Sequence, residues 1–68
     1  MFVYGAKLKQ LRLNANKTQA EFAFLLGMEQ PNYQRLERGV LDIRIYMLSN
    51  ICKTLNISAD WLLGLTDD

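Results

Sequence analysis

Histidine is absent from this 68-residue sequence, cysteine and proline occur once each, and glycine only four times. With Cys52 alone and no histidine, neither an internal disulfide nor a zinc set nor a Cys–His pair can be built within the chain. A single thiol fits a reducing compartment. Scarce glycine and proline, with 50% apolar residues, exclude a disordered or fibrous chain. No apolar run approaches membrane-spanning length, and the opening Met1-Phe2-Val3-Tyr4-Gly5-Ala6 carries no basic leader, so a cytoplasmic protein with no membrane partner is expected. A strong charge excess is also lacking: the formal net charge is +1, weak evidence for a nucleic-acid partner. Its distribution is more telling. Residues 1–44 hold seven Lys or Arg against four Asp or Glu, and residues 45–68 hold one against three.

What is present is helical periodicity. A chain this short supports one modest core, so residues 1–68 are expected to form a single domain. Tyr4, Leu8 and Leu11 recur at helical spacing with Lys7, Lys9, Gln10 and Arg12 between them, giving a first helix that the run Asn14-Ala15-Asn16-Lys17 ends. Thr18 and Glu21 form a capping-box pattern for a second helix, whose apolar side is Phe22, Ala23 and Leu26 and whose exit is Gly27. A third helix follows after Met28 and Glu29, with Pro31 tolerable in its first turn, Tyr33 and Leu36 inward and Gly39 as its stop. Ile45, Leu48, Ile51, Cys52 and Leu55 mark a fourth helix up to Asn56, and Ser58 caps a short fifth in which Trp61 and either Leu62 or Leu63 offer apolar contacts. Thr66-Asp67-Asp68 reads as a frayed tail.

The informative part is residues 18–39: two short helices joined by a tight glycine turn, the bihelical unit that can enter the major groove of DNA. Its third helix leaves Gln30, Asn32, Gln34, Arg35 and Arg38 on the outward side.

In their order and spacing, Leu8-Lys9-Gln10-Leu11-Arg12, Thr18-Gln19, Leu36-Glu37-Arg38-Gly39 and Ser58-Ala59-Asp60-Trp61-Leu62-Leu63-Gly64 resemble the lambda-repressor-like DNA-binding domains of phage repressors, Cro proteins and xenobiotic-response-element regulators. The resemblance spans nearly the whole chain and implies an all-α fold, a compact five-helix bundle. It implies a transcriptional regulator, a repressor, that binds double-stranded DNA. A module this size offers a small footprint, so two copies are expected on operator half-sites, a homodimer at least on DNA, with no cofactor or small-molecule ligand. By that resemblance Gln19 is a phosphate clamp at the start of the second helix, and Gln30 is a base-reading residue suited to adenine. Arg35 suits guanine or else a phosphate, with Asn32 and Gln34 as lesser readers. Lys17, Arg38 and Arg44 are assigned to phosphates, and Arg12 with Glu37 to an internal ion pair between the first and third helices.

The sequence departs from the family pattern at three places. Glu29 stands where a Ser or Thr cap is usual, Pro31 occupies a reading position where it offers only apolar contact, and Arg44 replaces a small cap.

Blander readings compete at several positions. Gln19 can be an exposed residue beside a good cap, and Lys7, Lys9 and Lys53 are read as solvated charges. Cys52 is read as packing and Trp61 as a lid on the core. Asp67 and Asp68 are adjacent carboxylates without fixed geometry, no catalytic set emerges, and no enzymatic activity is expected. Phe24 and Leu25, together with Val40 and Leu41, are candidates for an exposed apolar patch. That patch motivates an alternative from another class: a protein-docking or antitoxin-like dimeric module on the same fold.

Overall fold

Side chains cap the start of two helices, and a residue with left-handed backbone follows each helix end. A computed structural model describes residues 3–66; Met1, Phe2 and the Asp67–Asp68 pair lie outside the described residues. The order is α1 (Tyr4–Asn14), α2 (Gln19–Leu25), α3 (Gln30–Glu37), α4 (Ile45–Leu55) and α5 (Ala59–Leu62). Among the described residues there is no strand.

Thr18 and Glu21 form the full capping box of α2: Glu21 N donates to Thr18 Oγ1 at 3.1 Å, and Thr18 N to Glu21 Oε1 at 2.9 Å. Ser58 opens α5 in the same manner, accepting from Trp61 N at 3.1 Å. Asn16 and Asn56 adopt left-handed backbone at φ 57° and 54°, which turns the chain after α1 and ends α4. Val3, Glu29 and Arg44 precede α1, α3 and α4 without a capping side-chain bond, so those three starts depend on packing.

The buried hydrophobic residues are Tyr4, Leu8, Phe22, Ala23, Leu26, Tyr33, Leu36, Ile51 and Leu62, drawn from all five helices and the end of α2. Leu11, Leu48, Cys52, Leu55, Trp61 and Leu63 pack half-buried around them. Burial pushes the Cys52 thiol pKa up, consistent with a packing role.

Two readings are corrected here. Ile45, counted with the apolar row of α4, is 85% exposed, because the first residue of that helix overhangs the edge of the core. Lys7 is not a freely solvated charge: its ammonium lies 4.8 Å from the centroid of the Trp61 ring and donates to the Trp61 carbonyl, joining α1 to α5.

Tyr4 does more than fill space. Its hydroxyl donates to Leu41 O at 2.6 Å and accepts from Ile43 N at 3.0 Å, pinning the α3–α4 connection to α1. Burial raises its pKa above the ordinary value. Every buried side-chain polar atom among the described residues has a hydrogen-bond partner, and no described helix is long and apolar enough to cross a membrane.

Candidate nucleic-acid interface

The geometry of this site begins at Gly27. Its φ of +69° lies in the left-handed region, and a Cβ built there would meet nothing within 4 Å, so backbone conformation and not crowding calls for glycine. Met28 N returns to Ala23 O at 2.9 Å, closing α2, and Asn50 Nδ2 donates to Leu26 O at 2.9 Å from α4. The turn is therefore held on both sides, and α3 leaves it at a fixed angle.

Tyr33 and Leu36 bury the inner side of α3, the Tyr33 ring meeting Phe22 edge-on with centroids 5.6 Å apart. Helical spacing then directs Pro31, Arg35 and Arg38 away from the core, with Gln34 and Gln30 toward one flank. Gln30, Pro31, Asn32, Arg35 and Arg38 are exposed, and Gln34 is half-buried. Asn32 stands apart from the row. It lines a depression of about 360 Å³ with Glu29, Tyr46, Met47 and Asn50, toward α4. Lys17 and Arg44 are exposed at the ends of their turns.

At the other flank the Glu37 carboxylate gathers three side chains. Arg12 Nε pairs with Oε2 at 2.6 Å and its Nη2 with Oε1 at 3.3 Å, while Tyr33 donates to Oε2 at 2.5 Å and Gln19 Nε2 to Oε1 at 3.1 Å. The Arg12 and Glu37 side chains are only 11% and 4% exposed, so this is a desolvated two-pronged pair. Burial acts to raise the Glu37 pKa, but the donors Arg12, Tyr33 and Gln19 and the Arg12 charge outweigh it, and the net shift is downward. Burial and the neighbouring Glu37 push the Tyr33 hydroxyl upward, and the Glu37 hydrogen bond raises Arg12. At neutral pH the cluster is carboxylate, guanidinium and neutral phenol.

A helix-turn-helix family model matches residues 8–62, most of the chain. The chain belongs to the helix-turn-helix family. Antitoxin PezA of Streptococcus pneumoniae is 32% identical to this helix-turn-helix domain over 54 residues. Those residues are 79% of this chain but 34% of that protein, so the domain spans about a third of its curated relative. Two solved structures share the fold. The hypothetical transcription factor NHTF from Neisseria superposes with a TM-score of 0.78 at 23% identity, over 90% of this chain and 70% of that one. The restriction-modification controller protein C.AhdI from Aeromonas hydrophila superposes with a TM-score of 0.77 at 24% identity, over 90% and 92%.

The apolar patch expected on the domain divides. Phe24 is 86% exposed and lines a shallow depression of about 600 Å³ with Leu25, Lys17, Ala20 and Glu21. Val40 is exposed but does not line it. Leu41 is half-buried against the core, with its carbonyl held by Tyr4, and is removed from the patch.

Two contributors to the site, Gly5 and Asn50, went unread in the sequence, and Tyr4 was read only as an apolar position. A Cβ on Gly5 would lie 2.5 Å from Glu37 O and 2.6 Å from Leu36 O, so α1 abuts the end of α3 only because residue 5 is glycine. Asn50 and Tyr4 act through backbone carbonyls that are remote in sequence. A small residue in an otherwise regular helix was the only available signal, and it concerned Gly5 alone.

Proposed function

We propose that this helix-turn-helix domain is a transcriptional regulator that binds double-stranded DNA, with α3 in the major groove and a repressor's role. The observation that carries the reading is the exposed polar and cationic side of α3, fixed from behind by Tyr33, Leu36 and the Glu37 cluster. Gln30 and Arg35 read base edges, with lesser contributions from Pro31, Asn32 and Gln34. Gln19, Lys17, Arg38 and Arg44 meet phosphates. The chemistry is binding alone, without catalysis, in the cytoplasm.

The longest extent of the fold is 28 Å, less than the roughly 34 Å between major grooves on one side of the duplex. That supports two copies on adjacent half-sites, as a homodimer at least on DNA. Selection from random duplexes tests the whole reading: an enriched two-fold motif is expected, and no enrichment rejects it. Affinity should fall steeply with salt. Gln30→Ala should lose about 1 to 3 kcal/mol on the preferred duplex and blur one position of the motif.

A second reading rests on Phe24. A large ring 86% exposed, with Leu25 beside it, suits a protein-docking module, and one relative of the chain is an antitoxin. Gel filtration tests this patch: a later elution of Phe24→Asp supports docking between copies, and an unchanged volume counts against it.

A further inference from the structure

The Gln19 amide, assigned above to a phosphate, is also held from within. We propose that Glu37 is a positioning residue for Gln19, holding the nitrogen end of that amide so that its second N–H stays available to a phosphate oxygen. This rests on the DNA-binding reading above.

A glutamine amide offers donors at one end and an acceptor at the other, and a half-turn about its last torsion exchanges them. An ionised carboxylate can only accept, and so can a phosphate oxygen. The 3.1 Å bond from Gln19 Nε2 to Glu37 Oε1 therefore selects one of the two orientations, the one whose remaining hydrogen can be given to an anion. The reversed amide would set Gln19 Oε1 against the carboxylate, two acceptors facing each other, and the tether that fixes the amide would be lost.

The rest of the cluster makes this selection durable. Arg12 and Tyr33 occupy the other lone pairs of Glu37, and Arg12 cancels its charge, so a carboxylate can stand behind a phosphate contact without repelling the duplex. Arg12 Nη1 also donates to Lys17 O at 3.0 Å, tying the turn before α2 to the same anchor. Gln19 thus carries its orientation before DNA arrives, and less ordering is needed on binding.

The test is a double-mutant cycle on one salt-matched duplex, using wild type, Gln19→Ala, Glu37→Gln and the double variant. Melts by circular dichroism fix a temperature at which all are folded. Gln19→Ala should bind about ten-fold and Glu37→Gln about five-fold more weakly, while the double variant stays within about two-fold of Gln19→Ala. A double variant weakened by the product, about fifty-fold, overturns the proposal. Tyr33→Phe removes a donor from the same carboxylate without touching Gln19, and its affinity should stay within about two-fold of wild type. A five-fold loss there marks general loosening and also overturns it.

A variant-free arm covers the case in which Glu37→Gln fails to fold. In wild-type protein the NMR side-chain amide protons of Gln19 should shift as acid protonates Glu37, with a midpoint below the ordinary carboxyl value of 4.5. Gln19 resonances that do not move across that titration sink the proposal. Wild-type protein that binds no duplex removes the functional reading itself, whereas wild-type binding with a multiplicative cycle removes only the role of Glu37.

Discussion

The two flanks of α3 are secured by different physics. On the α1 side, Arg12, Gln19 and Tyr33 converge on one buried carboxylate, and Gly5 lets two helix backbones nearly touch. On the α4 side, one amide from Asn50 reaches the turn, the first residue of α4 lacks a side-chain cap, and Ile45 and Tyr46 stand in solvent. Directional bonds in a desolvated place fix position sharply and fail abruptly when one member is lost. Apolar contact at an exposed edge yields gradually. The flank that must hold the angle of α3 is the one built from directional bonds.

Substitutions should reproduce that ranking. Glu37→Ala strands the Arg12 guanidinium and the Tyr33 hydroxyl and is expected to cost about 3 to 5 kcal/mol in denaturant unfolding, the largest of the effects on the two flanks. A loss below about 1 kcal/mol would erase the contrast between the flanks. Gly5→Ala comes next, at about 2 to 3 kcal/mol, because the new methyl meets backbone oxygens that no rotamer change can move. Asn50→Ala, on the weaker flank, should cost about 1 kcal/mol by releasing the Leu26 carbonyl. Ile45→Ser should stay within about 0.5 kcal/mol, since the side chain is already exposed. Equal losses at Asn50 and Glu37 would show that both flanks are built alike.

Acid sharpens the comparison further. The folded-state pKa of Glu37 lies below its unfolded value, so its contribution is fully present above the ordinary 4.5 and drains away as pH falls through the folded pKa. Stability measured across that interval should drop in wild type. Glu37→Gln should remove the part of the slope that this group supplies.

Much of this architecture was legible in the sequence because it is local. The Thr18–Glu21 box, the left-handed Asn56 and the Gly27 turn are each determined within a few residues, and the structure has all three. Arg12 and Glu37 lie twenty-five residues apart, and only family resemblance paired them before their 2.6 Å contact was seen. Gly5, Asn50 and the Tyr4 hydroxyl depend on which backbone oxygens a remote segment presents, a property without periodicity. Ile45 misled for a related reason: spacing gives the direction of a side chain, but not whether the core extends far enough to receive it. At the candidate interface, the spacing of Tyr33 and Leu36 marked the opposite side of α3 as outward, while the tether of Gln19 joins residues eighteen positions apart that no local pattern pairs.

Trp61 is the sole tryptophan of the chain, and Lys7 from the first helix sits over its ring. Its emission is therefore a natural gauge of whether α5 remains seated on α1, a joint formed by residues fifty-four positions apart. A fluorescence trace would follow that closure without any attached dye.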